Sequence, residues 1–235
     1  MASSQPAGCT DFLTSHRDVV YTMKWVGKTG HEFFTGSQDG FIKWWDIRNF
    51  RQPVRDFLVV KDEGEMNAEK AEGVTSLSFE PTMPSKFMVG TAQGSVLSCR
   101  MQAKAGTTGL LLGAFNYCHR SKVTAVDRNP FYPKNFLTIG DNTAKVWCED
   151  LRTSAIMWMK PSAARLTGGA WNPARMSLFL TTRVDGVLEV ASFLPFFPHH
   201  QVWDFLYKQS GPILPVKVAD YPLLAMKVRG KDPRP

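Results

Sequence analysis

The sequence predicts an all-β protein assembled from repeated four-stranded antiparallel sheets, and three observations carry that prediction. Residues Glu32 to Arg48, EFFTGSQDGFIKWWDIR, read as a hairpin, because apolar runs flank Asp39-Gly40, a pair that tolerates the positive φ of a tight turn. The pattern around this hairpin returns three more times. Val20, Val74, Val123 and Leu166 precede Trp25, Phe79, Arg128 and Trp171 by five residues, and Phe33, Phe87, Phe136 and Phe179 follow eight residues later. Lastly, the Phe anchors lie 54, 49 and 43 residues apart, close to the ~40–45 residues of one four-stranded unit, with the longer gaps falling at polar loops.

The hairpin's second strand ends in Trp45-Asp46, the dipeptide that names the WD repeat. The units are therefore read as WD-repeat β-propeller blades. Each is too small to bury its own apolar faces, so neighbours must stack. Taken in order, residues 1–12 form a flexible N-terminus and residues 13–229 the partial propeller. The first blade, about 16–60, opens with a strand from Val19 to Trp25, passes the loop at Gly27 to Gly30, and adds a strand near Val54 to Val60 after the hairpin. Lys61 to Glu72 is polar and is expected as a short surface helix. Blades follow at about 71–115, 119–160 and 164–218; Tyr221 to Val228 begins a fifth, and 230–235 is a tail. Pro81, Pro130 and Pro173 each stand six residues before the Phe anchor, in the loop after the first strand. Thr22, Ser76, Ala125 and Gly168 are small residues suited to a crowded innermost strand.

WD repeats tie their strands together with a polar relay of loop His, strand Ser or Thr, turn Asp and Trp indole. A buried carboxylate or imidazole is costly without a partner, which is why such groups come as a set. His16, Thr35, Asp39 and Trp45 fit the relay in the first blade, and His119, Thr138, Asp141 and Trp147 in the third, where Thr138 stands one residue nearer its Asp. The fourth keeps Thr181 and Asp185, with Trp203 as its displaced Trp. The second departs, carrying Gln93 at the turn and Cys99 in place of Trp. A His, a hydroxyl and an Asp also compose a catalytic triad, but here they recur at repeat spacing with no GxSxG elbow, so the structural reading stands. HExxH and P-loop patterns and a glycosidase carboxylate pair are absent from the sequence, and no catalytic residue, metal or cofactor is expected. Met83, Phe131 and Tyr132, in the loops after the first strands, are candidates for partner contact; plugging onto the blade beneath is the alternative for the two aromatics.

Composition narrows the partners. Hydrophobic residues make up 43% and charged residues 21% of 235, as in ordinary globular chains. No apolar run approaches the ~20 residues of a membrane helix, and the N-terminus lacks a signal peptide's regions. Cys9, Cys99, Cys118 and Cys148 are too scattered for a zinc site or a disulfide framework, which favours reduced thiols in the cytoplasm. The net charge of +7 is dispersed, its clusters such as Arg100 to Lys104 reading as solvated surface, and no aromatic RNP box accompanies it. Neither nucleic acid nor a membrane is expected as a partner.

Val190 to Gln201, VASFLPFFPHHQ, breaks the pattern. Asp39 precedes Trp45 by six residues and Asp141 precedes Trp147 by six, whereas Asp185 and Trp203 are eighteen apart. Excising these twelve residues gives DGVLEVWDF. Ser, Phe, Leu, Pro and His take pyrimidine-rich codons, Gln is encoded by CAG and Val can begin with GT, so the segment reads as a retained intron. A surface insertion is the alternative. An irregular bulge is expected, with Val202 to Phe205 resuming the strand.

SHRDVVYTMKW, FIKWWDIR, KFMVGTAQG, RNPFYPKNFLTIGD and FLTTRVDG together make the chain from His16 to about Arg229 resemble the WD-repeat region of axonemal dynein intermediate chains, those of the outer arm above all. The resemblance implies four blades of a seven-bladed ring, an incomplete arc with raw edges. It implies a non-catalytic scaffold or assembly subunit whose propeller grips a dynein heavy chain and which pairs with another intermediate chain. Through them it would associate indirectly with microtubules of the cilium or flagellum axoneme. In the family an N-terminal extension recruits light chains; with that extension absent from this sequence, light-chain binding is not carried over, and heavy-chain binding is expected to be weakened. A general cytoplasmic WD scaffold is the alternative.

Overall fold

The computed structural model describes residues 14–26, 30–60, 71–80, 83, 85–101, 110–192 and 212–228. Among them there is no helix, and sixteen strands make four antiparallel sheets of four. The chain divides into two compact units, Met1–Tyr117 and Cys118–Pro235.

In the first unit, β1 (Val20–Val26), β2 (Glu32–Ser37), β3 (Phe41–Asp46) and β4 (Arg55–Leu58) form one sheet in sequence order. The second sheet holds β5 (Val74–Phe79), β6 (Lys86–Thr91), β7 (Val96–Arg100) and β8 (Leu110–Phe115). In the second unit β9 (Ala125–Arg128), β10 (Asn135–Gly140), β11 (Thr143–Cys148) and β12 (Met157–Trp158) form the third sheet. The fourth has β13 (Leu166–Trp171), β14 (Leu178–Arg183), β15 (Val187–Ser192) and β16 (Leu214–Lys217). This is the in-order, up-and-down sheet of a WD-repeat propeller blade, four times over.

The sequence anchors prove to be register partners. Trp25, Phe79, Arg128 and Trp171 stand opposite Phe33, Phe87, Phe136 and Phe179 across the first strand pair. Across the second pair the same four Phe face Trp45, Cys99, Trp147 and Ala191. All four Phe side chains are buried. Register is this well specified because a one-residue slip would turn each of them to the opposite face.

Each unit has its own apolar core, shared by its two sheets. Phe34, on β2, is fully buried and meets Phe79 and Phe87 of the second sheet at ring-centroid distances of 4.9 and 6.3 Å. In the second unit Ile139 on β10 belongs to one cluster with Leu166, Trp171 and Phe179 of the fourth sheet. Gly169 admits that packing, since a Cβ there would lie 2.9 Å from Ile139 Cδ1.

Turn chemistry explains the odd spacing in the third blade. The β2–β3, β6–β7 and β14–β15 turns place Gly40, Gly94 and Gly186 at φ of 80°, 86° and 79°. The β10–β11 turn has two residues only, Asp141 and Asn142, both left-handed at φ 50° and 61°, closed by the Gly140–Thr143 pair. A two-residue turn of this primed type matches the twist of its strands and shortens the loop by one.

Several expectations are corrected. Tyr221 to Val228 forms no strand; Leu223 N–H donates instead to the Arg183 carbonyl, and its own carbonyl accepts from Thr167 Oγ1. The third blade's first strand begins at Ala125 rather than Val123. Val190 to Ser192 do not leave the sheet: they continue β15 in register against β14, and Ala191 occupies the position that Trp45 and Trp147 hold elsewhere. The rest of that segment, Val202 to Phe205 and the stretch 61–70 lie outside the described residues; Ala71 and Glu72 are not helical.

Candidate functional site

The relay residues of the first blade meet around one hydroxyl. Trp45 Nε1–H donates to Thr35 Oγ1 at 2.8 Å, and His16 Nε2 lies 2.7 Å from the same oxygen. His16 Nδ1 is 3.0 Å from Asp39 Oδ2. With the imidazole neutral, the protons run one way: indole to hydroxyl, hydroxyl to Nε2, and Nδ1–H to the carboxylate. Burial lowers the His16 pKa more than the Asp39 carboxylate raises it, which keeps that neutral form. Burial pushes Asp39 upward, but the amides of Phe41 and Arg17, at 2.9 and 3.0 Å, and His16 outweigh it and leave its pKa below the ordinary value. Asp39 therefore caps its own turn as well as anchoring the imidazole.

The third blade is wired differently at the acid. Trp147 Nε1–H donates to Thr138 Oγ1 at 3.0 Å, and His119 Nε2 is 2.9 Å from that oxygen. His119 Nδ1 stands 3.6 Å from Asp141 Oδ2, beyond hydrogen-bond reach, and has no hydrogen-bond partner among the described residues. Asp141 accepts instead from the amides of Arg120 and Ser121. This is also the blade whose β10–β11 turn is one residue shorter. Burial drives the His119 pKa down to about 4, with Lys145 acting in the same direction.

In the fourth blade Thr181 and Asp185 are not brought together. Thr181 Oγ1–H donates to Glu189 Oε2 at 3.1 Å, while Asp185 pairs with Arg183, whose Nη1 also donates to Glu189 Oε1 at 2.9 Å. With Ala191 in the Trp position no indole reaches Thr181 from that register, and the buried Glu189 takes the hydroxyl instead. Sequence reasoning missed Glu189; its only signal is that it faces Thr181, as Lys43 faces Thr35 and Lys145 faces Thr138. Trp203 lies outside the described residues. The second blade replaces the whole set, with Val89, Gln93 and Cys99 at the Thr, Asp and Trp positions. Val89 and Cys99 are buried, and burial lifts the Cys99 thiol pKa to about 12, so it is inert at neutral pH.

Of the loop residues, Met83 lies in the first unit, 42% exposed, its carbonyl accepting from Lys86 N–H at 2.9 Å. Phe131 and Tyr132 belong to the second unit and are 46% and 36% exposed. Asn129 holds their backbone: its Oδ1 accepts from both amides at 2.9 and 3.0 Å. Among the described residues no group of three or more His, Cys, Asp or Glu is arranged to hold a metal ion. In the first blade the relay His, Thr and Asp tie loop, strand and turn together; in the third and fourth blades the set is only partly joined.

A family model described as the dynein axonemal intermediate chain 3 WD40 domain matches residues 58–201, more than half of the chain, and one for the WD domain G-beta repeat matches residues 7–46. The chain is 44% identical over 92% of its length to dynein axonemal intermediate chain 2 of Mus musculus, of which that match covers 32%. It is 43% identical over 92% of its length to the ciliary dynein intermediate chain 3 of Heliocidaris crassispina, covering 34% of it. The flagellar outer-arm 70 kDa dynein intermediate chain of Chlamydomonas reinhardtii is 36% identical over 95% of this chain and is covered over 37%. The chain thus spans about a third of the length of the curated relatives it matches. On this evidence the chain belongs to the WD40-domain family of the axonemal dynein intermediate chains.

Proposed function

We propose that this chain acts as a non-catalytic assembly subunit of an axonemal outer-arm dynein. It binds the dynein heavy chain through its propeller blades, associates with the other intermediate chain, and so supports ciliary or flagellar motility from the axoneme. The observation that carries the reading is the match to ciliary and flagellar outer-arm intermediate chains along more than nine-tenths of this chain. The relays support it from the chemical side. His16 and Asp39 spend their hydrogen bonds on strand and turn, and the hydroxyls beside the two imidazoles, those of Thr35 and Thr138, are buried and already accept from Trp45 and Trp147. The test is to express the tagged chain in ciliated cells and follow it into isolated axonemes. Co-extraction with outer-arm heavy chain is the expected result; a chain that stays in the cell body and recovers no heavy chain overturns the proposal and favours a general WD scaffold.

A further inference from the structure

Two loops of the second unit share one clamp. Asn129 follows β9 at the position that Asn172 holds after β13, and both are followed by Pro. Each Asn side chain caps its own loop, Asn172 Oδ1 accepting from the amides of Ala174 and Arg175 at 2.8 and 3.1 Å. Asn129 does more. Fully buried, it accepts from Phe131 and Tyr132 through Oδ1 and donates through Nδ2 to the Met176 carbonyl of the neighbouring loop at 2.8 Å. A single planar amide therefore ties the backbones of Phe131, Tyr132 and Met176 together, and all three residues leave a third or more of their surface in solvent. Met176 is 42% exposed.

Arg128 is buried and paired with Glu149 at 2.7 Å, and Lys134 is paired with Asp150 at 2.9 Å. Arg175, exposed and next to Met176, makes no ion pair among the described residues. Rigid aromatic and Met anchors held by a buried polar clamp lose little conformational entropy on binding, and such residues with Arg dominate binding energy at interfaces.

We infer that Phe131, Tyr132 and Met176, preset by Asn129, form a docking surface for an acidic amphipathic segment of a protein partner. The segment seats an apolar side chain among the three and sets a carboxylate against Arg175. The inference rests on the proposed function and names the surface through which the heavy chain is engaged. A free cation beside an apolar tip selects an acidic partner; a neutral or basic segment would leave Arg175 desolvated and unpaired.

The test is capture of dynein heavy chain from axonemal extracts by the tagged chain, compared with a Phe131→Ala/Tyr132→Ala/Met176→Ala variant, with Arg175→Glu, and with Trp158→Ala. Trp158 is 65% exposed on β12 and serves as an aromatic control from the same unit. Folding of each variant is checked by circular dichroism. The triple variant is expected to weaken capture about tenfold or more, and Arg175→Glu to weaken it and flatten its salt dependence, while Trp158→Ala behaves as the parent. Parent capture that the triple and Arg175 variants retain overturns this inference alone. Failure of the parent to capture heavy chain overturns the proposed function, and this surface assignment with it.

Discussion

A single hydroxyl, that of Thr35 on β2, joins the first blade's loop to β2 and β3, because it accepts from Trp45 and sits against His16. Asp39→Ala removes the acceptor for His16 Nδ1–H, for the turn amide of Phe41 and for the loop amide of Arg17, so it should cost about 1–3 kcal/mol of stability, read from the urea midpoint. Asp185→Ala removes a part-buried pairing with Arg183 but leaves Arg183 its bond to Glu189, and should shift that midpoint less. His119 supplies a pH signature. Its folded pKa of about 4 lies below the ordinary histidine value of 6.5, so the unfolded chain binds more protons between them. The stability it contributes is complete above 6.5 and is lost as pH falls towards 4, on the order of 3 kcal/mol. His119→Gln should flatten urea midpoints across that window; a wild-type midpoint that does not fall there would show His119 to be already charged in the fold.

At the scale of elements, turns and registers decide how much was readable in the sequence. Register was legible because large apolar anchors at Phe33, Phe87, Phe136 and Phe179 leave one alignment that buries them all. The first relay was legible because His, Thr, Asp and Trp have few other reasons to recur together. Glu189 was not legible, since a lone Glu in a strand reads as solvated until Thr181 and Arg183 are seen to hold it. Nor was the failed His119–Asp141 contact, in the blade whose turn is one residue shorter. Asp-Gly announces its positive φ, whereas Asp141-Asn142 conceals it. That turn gives a direct prediction. Asn142→Gly should be tolerated, while Asn142→Val forces a β-branched residue into the left-handed region and should cost about 1–2 kcal/mol, measured by thermal melting. Equal melting points for the two variants would remove the primed turn from the account.

At the scale of the whole molecule, stability in stacked sheets is a sum of blade terms and neighbour terms, so it need not be uniform. β5 is buried along nearly its whole length, whereas β1 exposes Val20, Tyr21, Met23 and Trp25, and β16 is exposed throughout. Amide hydrogen exchange should therefore be fastest in β1 and β16 and slowest in β5 to β7. Uniform protection would contradict the additive picture. Under the proposed function, surfaces carry the binding and the relays keep those surfaces assembled. The most direct measurement compares heavy-chain capture by the wild-type chain and by Asp39→Ala, each normalised to folded protein. Wild type should capture heavy chain, and Asp39→Ala should capture as much per folded molecule. No capture by the wild type would overturn the proposed function, and a fully folded Asp39→Ala chain that captures nothing would show that Asp39 acts directly at the partner.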